Sequence, residues 1–306
     1  MDCLSFSLEP VAPFRLDLTT WALRRRAENI IDRWDGRTYR RVLIVQEMPV
    51  EVELVQTAPP DMPRLQVTAT AKKISPGTRP SLISALTQML GTSLDLADFY
   101  RFAKQQPKLN ELVRQFRGVK PPQFPTIFEA LVNAVACQQL SLSVGILLLN
   151  RLALAFGPSV GKQGDDAYAF PPPENLSALD PEALRPLGFS RQKALAIIGL
   201  ASSIVEKQLN PDELENLDNE AAAKRLEKLR GIGRWSAEYV LLRGLGRLDV
   251  FPADDVGARN KLRNWLGLPG TLNYEGVRHS IALWKAYGGF IYFHLLLKGL
   301  GEAGFL

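Results

Sequence analysis

A glycine hairpin followed by a carboxylate pair carries the most chemistry in this chain. The run Gly231-Ile232-Gly233-Arg234-Trp235 sets two glycines around an aliphatic residue, which is typical of a tight turn between helices. Glycine at both positions allows a positive φ and leaves backbone N–H groups uncovered. With the N-terminus of the next helix, these groups can bind a phosphate. The pair Asp254-Asp255 follows, and Asp255 lies twenty-two positions after Gly233. A phosphate site, an aromatic ring and a carboxylate are the parts needed to act on a base within DNA.

Each part of this pattern also has a purely structural interpretation. Glycines are common in ordinary helix–helix turns, and aspartates are common helix caps. We interpret Asp254 as the cap of a helix that begins there. The charge distribution favours a functional hairpin, because residues 221–265 contain ten Lys or Arg against five acids, a net charge of +5. The whole chain also carries +5, so its positive charge is concentrated where a DNA backbone would bind.

The composition argues against several classes of protein. A length of 306 residues suggests two domains, and 46% hydrophobic residues can form a packed core. Two cysteines, Cys3 and Cys137, imply no disulfide framework and cannot hold an iron–sulfur cluster. Only His279 and His294 could supply imidazole, which argues against a zinc site. We find no signal peptide and no apolar run of membrane-spanning length, so we expect a soluble, cytoplasmic protein.

The elements that must position the hairpin divide into two parts. Residues 1–92 have mixed periodicity and predict an α+β domain, an antiparallel sheet with helices on one face. Its strands are predicted near 4–8, 41–45, 50–54 and 65–69, and its helices at 19–34 and 80–90. Arg24-Arg25-Arg26 is interpreted as a solvated face of the first helix, not a DNA site.

Residues 93–306 predict a helical core of two subdomains, with the site in the cleft between them. Helices are predicted at 127–137, 191–207, 220–229, 234–245, 254–266 and 274–300. Thr126 has Glu129 three residues on, the spacing of a capping box. Gly288-Gly289 predicts a bend in the last helix. A loop rich in glycine, proline and aspartate is predicted from Gly161 to Asn175.

Three motifs resemble a known enzyme family. They are the run from Leu229 to Tyr239 with Leu242-Arg243-Gly244 and Asp249-Val250-Phe251-Pro252-Ala253-Asp254-Asp255, the run Ala136-Cys137-Gln138-Gln139-Leu140-Ser141, and Leu187-Gly188-Phe189 with Lys193-Ala194. The chain resembles the helix-hairpin-helix DNA glycosylases, and more closely their 3-methyladenine DNA glycosylase II (AlkA-type) branch. Members of this branch place a small sheet domain before the helical core, so the resemblance covers nearly the whole chain.

The resemblance implies a monofunctional DNA glycosylase of base excision repair. Such an enzyme flips an alkylated purine, such as 3-methyladenine or 7-methylguanine, out of duplex DNA and hydrolyses its N-glycosidic bond. Asp255 corresponds to the family's catalytic aspartate, which can stabilise positive charge on the sugar and activate water. Trp235 stands where bifunctional relatives have a Schiff-base lysine, so we expect little β-lyase activity.

The resemblance also assigns the remaining site residues. Trp235, Tyr239 and Gln138 are expected in the base pocket, although Tyr239 has a nearly equal interpretation as a core aromatic. Gln139 is expected to fill the gap left by the flipped nucleotide. The other DNA-binding residues are expected to be Gly231, Ile232, Gly233 and Arg234.

One position departs from the family pattern. A gapless alignment from Asp255 places Leu296 where the enterobacterial type has a pocket tryptophan. Tyr292 and Trp284 are the candidates to replace that ring, and Phe170 is a further candidate for the pocket wall. A less aromatic pocket leaves the range of substrates open.

Cofactors and partners follow from the same resemblance. No catalytic metal or organic cofactor is expected, although the hairpin of this family can hold a structural Na⁺ or K⁺ ion through carbonyls, here of Leu229, Gly231 and Gly233. The expected partner is damaged double-stranded DNA, bound by a monomer, within the nucleoid if the source is a prokaryote. Two alternatives stay open: a glycosylase for deaminated or etheno bases, and a non-catalytic helix-hairpin-helix DNA-binding protein.

Overall fold

A five-stranded antiparallel sheet forms the first part of the chain. The computed structural model describes residues 1–161 and 166–306. The strands are β1 (Asp2–Leu8), β2 (Arg33–Trp34), β3 (Thr38–Val45), β4 (Met48–Gln56) and β5 (Leu65–Ala71). Their order in the sheet is β1-β5-β4-β3-β2. The predicted sheet is therefore confirmed, with β2 as an additional short edge strand.

Alternation explains why these residues form strands with one buried face. Val52 and Leu54 of β4 are fully buried and pair with Ala69 and Val67 of β5, while the residues between them are half-buried. A period of two places every second side chain on the same face of a sheet. The buried face packs against the helices and forms one end of the main hydrophobic core.

The first helix is shorter than predicted. Helix α1 spans Leu16–Arg24, and Arg25 follows it in the left-handed region with a φ of 61°. The predicted extension to residue 34 is wrong because polar side chains take over the backbone hydrogen bonds. Asn29 Oδ1 accepts the N–H groups of Ile31 and Asp32, a local turn that competes with a helix.

Helices make up most of the remaining chain. They are α2 (Thr78–Leu90), α3 (Ala97–Lys104), α4 (Pro107–Gln115), α5 (Ile127–Cys137), α6 (Leu142–Phe156), α7 (Arg191–Val205), α8 (Pro211–Glu215), α9 (Asn219–Glu227), α10 (Arg234–Arg243), α11 (Val256–Leu266), α12 (Tyr274–Ser280) and α13 (Gly288–Glu302), with 3₁₀ turns at Pro173–Asn175, Pro181–Leu184 and Ala282–Tyr287. Within the described ranges, no helix has the length and apolar character that crossing a membrane requires.

The last predicted helix is divided into α12, a 3₁₀ turn and α13, and the predicted break at Gly288-Gly289 falls where α13 begins. Gly288 and Gly289 begin α13, where it crosses the loop that leads to the carboxylate pair. A Cβ atom on either glycine would lie 2.9 Å from a backbone oxygen of that loop, Asp249 O or Leu248 O. The two glycines therefore allow the last helix to approach this loop closely.

The predicted loop from Gly161 to Asn175 is only partly a loop. Strands β6 (Ser159–Val160) and β7 (Ala167–Tyr168) pair with each other, and Ala169 forms a parallel bridge with Val42 of β3. Residues 162–165 of this prediction lie outside the described residues.

Packing crosses the predicted domain boundary at residue 92. Leu18 and Ala22 of α1 share a hydrophobic cluster with residues of α11 and α13. Arg41 on β3 forms buried ion pairs with Asp32 and with Glu129 on α5. Because Glu129 turns to Arg41, only half of the predicted capping box forms, the bond from Glu129 N–H to Thr126 Oγ1 at 3.1 Å. The division into 1–92 and 93–306 stays a prediction about sequence organisation.

Removing the buried guanidinium of Arg41 should lower the stability of the protein. Arg41→Ala leaves the carboxylates of Asp32 and Glu129 without their partner, so we expect about 3–5 kcal/mol less free energy of unfolding in urea denaturation. Arg40→Ala is the matched control on the same strand, since Arg40 is 33% exposed and pairs with Asp35 at 2.6 Å. Its loss should stay below about 1 kcal/mol. Equal losses would contradict a structural role for the buried cation.

Candidate active site

A cavity of about 340 Å³ lies beside the hairpin. Its walls come from the end of α1, the turn between α5 and α6, and helices α10, α11 and α13. Cavities of this size are in the range that binds small organic ligands. Asp255, Trp235 and Tyr239 all line it, so the structure brings these three predicted residues together.

Asp255 has two roles at the edge of the cavity. Its Oδ1 caps α11 by accepting the N–H of Ala258 at 2.8 Å. Its Oδ2 accepts a hydrogen bond from the Tyr292 hydroxyl at 3.3 Å. The interpretation of Asp254 as the cap is wrong, because Asp254 instead pairs with Arg234 at 2.7 Å. The helix starts at Val256, two residues later than the predicted start at 254, which gives the capping position to the candidate catalytic residue.

Two aromatic rings on one face of α10 form a wall of the cavity. Trp235 and Tyr239 are four residues apart, and their ring centroids are 5.6 Å apart at a tilt of 37°. Trp235 is half-buried, whereas Tyr239 is 3% exposed. Tyr239 therefore satisfies both interpretations drawn from the sequence, since it is a core aromatic and also part of the cavity wall.

Arg25 is a cavity residue that the sequence interpretation missed. Arg24 and Arg25 are each 4% exposed, so a solvated face is the wrong description of both. Arg25 Nη1 donates to Tyr239 Oη at 2.8 Å, and Nη2 donates to Asn133 Oδ1 at 2.6 Å. Charge alone gives no signal of this burial. The left-handed turn at Arg25 directs the side chain inward, and only the fold reveals it.

The hairpin glycines differ in conformation. Gly231 has a φ of +81°, and a Cβ atom there would lie 2.7 Å from Ala196 Cβ. Gly233 has extended backbone (φ −103°, ψ −177°) and caps α10, and a Cβ atom added to it would meet nothing within 4 Å. The expectation of a positive φ therefore holds for Gly231 alone. Ile232 between them is buried and anchors the turn, while both glycines are exposed.

Gln138 lies against the hairpin rather than in the cavity wall. Its Nε2 donates to Gly231 O at 2.7 Å and to Ser236 Oγ at 2.8 Å, and the cavity lining does not include it. Gln139 is exposed and adopts a positive φ of 55°. Lys193 supports this turn, since its Nζ donates to the carbonyls of Ala136 and Gln138, both at 2.8 Å.

The last helix supplies the far wall. Leu296 and Tyr292 line the cavity, so the aliphatic residue takes the position predicted for it and the tyrosine adds a ring. Trp284 does not reach the cavity, because it packs on Trp265 with ring centroids 5.3 Å apart. Phe170 lines a separate cavity near Arg41.

Cations outnumber acids around the cavity. Arg25, Arg26 and Lys261 line it, and Asp255 is the one acid among the described residues of its wall. Burial lowers the pKa of Lys261, and the charge of Asp255 acts in the opposite direction. Burial also acts to lower the pKa of Arg25, but its electrostatic interactions, led by Tyr239, outweigh burial and the net shift is upward.

Two of the ten basic residues counted around the hairpin donate hydrogen bonds from their guanidinium groups to backbone carbonyls of the chain. Arg243 is fully buried and donates to the carbonyls of Ala22 at 2.9 Å and Leu23 at 3.4 Å. Arg247 donates to a group of carbonyls at the end of α8, including Leu217 O at 2.9 Å. The exposed cations near the hairpin are Lys224, Lys228, Arg230 and Arg234.

The predicted cation site has its carbonyls partly engaged. The oxygens of Leu229, Gly231 and Gly233 each accept one hydrogen bond within the chain. A carbonyl has two lone pairs, so a Na⁺ or K⁺ ion would share these oxygens with Gln138 and the helix. Among the residues that the structure describes, no group of three or more His, Cys, Asp or Glu side chains is placed to hold a metal.

The capping role of Asp255 can be separated from its charge. Asparagine caps helices as well as aspartate does, whereas alanine cannot cap. We expect Asp255→Ala to lower the free energy of unfolding by about 1 kcal/mol and Asp255→Asn to leave it nearly unchanged. Urea denaturation of both variants measures this. Equal losses would show that the hydrogen bond to Ala258 does not stabilise α11.

Comparison with known proteins identifies the family of this chain. Residues 132–286 match the model of the HhH-GPD superfamily base excision DNA repair proteins. The chain is 30% identical over 217 residues to the DNA-3-methyladenine glycosylase of Bacillus subtilis (strain 168), covering 71% of this chain and 72% of that protein. The fold is similar to that of 3-methyladenine DNA glycosylase from Archaeoglobus fulgidus, with a TM-score of 0.83 and 26% identity over 95% of this chain and 97% of that one. It is also similar to Schizosaccharomyces pombe 3-methyladenine DNA glycosylase (Mag1), solved in complex with abasic DNA, with a TM-score of 0.54 and 27% identity over 64% and 95%. The predicted resemblance is thus confirmed, and this chain belongs to the HhH-GPD superfamily of base excision DNA repair proteins, in its AlkA-type branch.

Proposed function

We propose that this protein is a monofunctional DNA glycosylase that hydrolyses the N-glycosidic bond of alkylated purines, such as 3-methyladenine and 7-methylguanine, in duplex DNA. The observation that carries the proposal is a carboxylate, Asp255, that lines a base-sized cavity together with two aromatic rings, Trp235 and Tyr239. The names of its relatives support the substrate class. We further infer a cytoplasmic monomer that needs no organic cofactor.

Asp255 supplies the charge that the reaction needs. When the bond between C1′ and the base nitrogen breaks, its electron pair leaves with the base and positive charge develops on the sugar. A fixed carboxylate stabilises that charge, and it can accept the proton of the water that adds to C1′. Oδ1 stays bound to the N–H of Ala258, and the positive end of the α11 dipole favours negative charge at this position.

The aromatic wall suits an alkylated base. A base methylated at a ring nitrogen carries positive charge and is electron-poor, so it stacks well on an electron-rich ring such as that of Trp235. No amine occupies the Trp235 position, which supports water rather than a lysine as the nucleophile. Stacking and the carboxylate then act together, one binding the base and the other its sugar.

The hairpin and the α5–α6 turn form the proposed DNA interface. The exposed Gly231 and Gly233 leave the N-terminus of α10 open to a phosphate, with Arg234 beside it. Gln139 is exposed in a left-handed turn, between Cys137 and Leu140 of the cavity lining, and we assign it the role of filling the gap in the duplex. Gln138 links the two elements through its bond to Gly231. We therefore assign Gln138 to the interface rather than to base contact.

One observation favours a second substrate class. Arg25, Arg26 and Lys261 face the cavity against a single carboxylate among its described residues. This excess of positive charge does not oppose a neutral base, so deaminated or etheno bases are the second candidate. A protein that only binds DNA has no use for a carboxylate near a negative backbone, which argues against the non-catalytic alternative.

Removing the charge of Asp255 should abolish chemistry and spare binding. We expect Asp255→Asn to lower the rate of 7-methylguanine release from alkylated duplex DNA by about 100-fold or more, because the developing sugar cation loses its carboxylate. Single-turnover assays with saturating enzyme separate this loss from any change in affinity.

The neighbouring carboxylate provides the control. Asp254→Asn removes the same charge one residue away and should leave the single-turnover rate unchanged. Equal rates for the wild type and Asp255→Asn would refute the catalytic assignment.

Denaturing gels run without alkali treatment report strand cleavage, which we expect to be negligible even though the cavity contains the amine of Lys261.

The two hairpin glycines should respond differently to alanine. Gly233→Ala fits the fold but places a methyl group where a phosphate would approach, so we expect unchanged thermal stability and about tenfold weaker binding of duplex DNA. Gly231→Ala should instead lower stability, because of its positive φ and the contact with Ala196. Gly199→Ala, in the middle of α7 with open space around it, is the control that should change neither affinity nor fold. Unchanged binding by Gly233→Ala would exclude the hairpin as the phosphate site.

A further inference from the structure

The hydroxyl hydrogen of Tyr239 has no acceptor among the residues that the structure describes. The oxygen of this hydroxyl accepts a hydrogen bond from Arg25 Nη1 at 2.8 Å. A phenol hydroxyl can accept a hydrogen bond and also donate one. The hydroxyl of Tyr239 therefore accepts a hydrogen bond but donates none, although the side chain is buried and lines the cavity.

Arg25 fixes this arrangement because its guanidinium can only donate. Its other end, Nη2, donates to Asn133 Oδ1 at 2.6 Å. Asn133 cannot turn its amide around without loss, since its Nδ2 donates to Glu129 O at 3.0 Å. Burial raises the pKa of Tyr239, with Arg25 acting in the opposite direction, so the hydroxyl keeps its hydrogen at neutral pH.

Tyr239 lines the same cavity as Asp255 but forms no hydrogen bond with it in the described structure. The charge of Asp255 contributes to raising the pKa of Tyr239. Asp255 nevertheless takes its hydrogen bonds from Ala258 and Tyr292. The hydrogen of Tyr239 is therefore available to a molecule that enters the cavity.

We propose that Tyr239, oriented by Arg25, donates a hydrogen bond to the departing base and so promotes the release of neutral lesions more than that of cationic ones. The inference rests on the proposed function, because it concerns the leaving group of the same reaction. It makes Tyr239 a catalytic residue for neutral bases and Arg25 its positioning residue.

The charge of the leaving base gives the selectivity its physical cause. A purine methylated at N3 or N7 is cationic in DNA, and the electron pair of the broken bond leaves it neutral. A neutral base such as hypoxanthine leaves as an anion, which takes its proton from solvent afterwards. A hydrogen bond to an anion is roughly twice as strong as one to a neutral acceptor. The positive charge of Arg25 acts in the same direction, since it favours an anion and disfavours a cation in the cavity.

The ratio of two release rates tests the inference. Single-turnover release of hypoxanthine and of 7-methylguanine would be measured for the wild type, Tyr239→Phe and Arg25→Gln. We expect Tyr239→Phe to lower hypoxanthine release about tenfold or more and to affect 7-methylguanine release much less. Arg25→Gln should change the ratio in the same direction. The matched control is Tyr100→Phe, which removes a hydroxyl that accepts the N–H of Gly118 at 2.9 Å and does not line the cavity.

Each outcome decides the inference. If Tyr239→Phe lowers the release rates of both bases equally, Tyr239 is merely structural and the proposal is wrong. The proposal is also wrong if the release rates do not change, or if the wild type releases no hypoxanthine. Absence of 7-methylguanine release by the wild type would count against the proposed function instead, and the hypoxanthine rates would still test Tyr239. If circular dichroism shows that Tyr239→Phe is unfolded, Arg25→Gln gives the deciding ratio.

Discussion

The hydrogen bonds from the buried guanidinium of Arg243 to the last carbonyls of α1 hold the cavity together. They tie the end of α1, and with it Arg25, to the helix that carries Trp235 and Tyr239. A buried cation is tolerated only where its surroundings compensate for lost water. Here the guanidinium also lies over the rings of Phe124 at 4.9 Å and Phe293 at 5.2 Å. Separating the end of α1 from α10 would break these hydrogen bonds and ring contacts, so they hold the two helices together at the cavity.

A second constraint fixes the position of the carboxylate. The loop before Asp255 runs beneath the start of α13, where Gly288 and Gly289 leave room only for backbone. On its other side, Asp255 is bound through its own oxygen to the first turn of α11. The carboxylate is thus preorganised by packing and by capping. Its residual freedom is limited further by Tyr292.

The sequence predicted those parts of the site that depend on local pattern. Alternation of apolar and polar residues predicted the strands, glycine spacing predicted the hairpin, and the family resemblance predicted Asp255 and Trp235 at the site, where both line the cavity. Local pattern could not identify Arg25, since three consecutive arginines look solvated until the end of α1 turns one of them inward. The prediction that Asp254 rather than Asp255 caps α11 was also wrong, because either residue can cap a helix and only the exact start of the helix decides between them. Gln138 was placed in the pocket by analogy, while its hydrogen bond to Gly231 depends on how α5 packs against the hairpin.

The walls of the cavity are drawn from distant parts of the chain. The stretch that matches the family, residues 132–286, contains Asp255, Trp235 and Tyr239. Arg25 on one side of that stretch, and Tyr292 and Leu296 on the other, complete the lining. The wall of the cavity is therefore encoded partly inside and partly outside the segment that defines the family. Substitutions near either end of the chain can reshape the cavity while the central segment stays intact, and a comparison of central segments alone would overlook them.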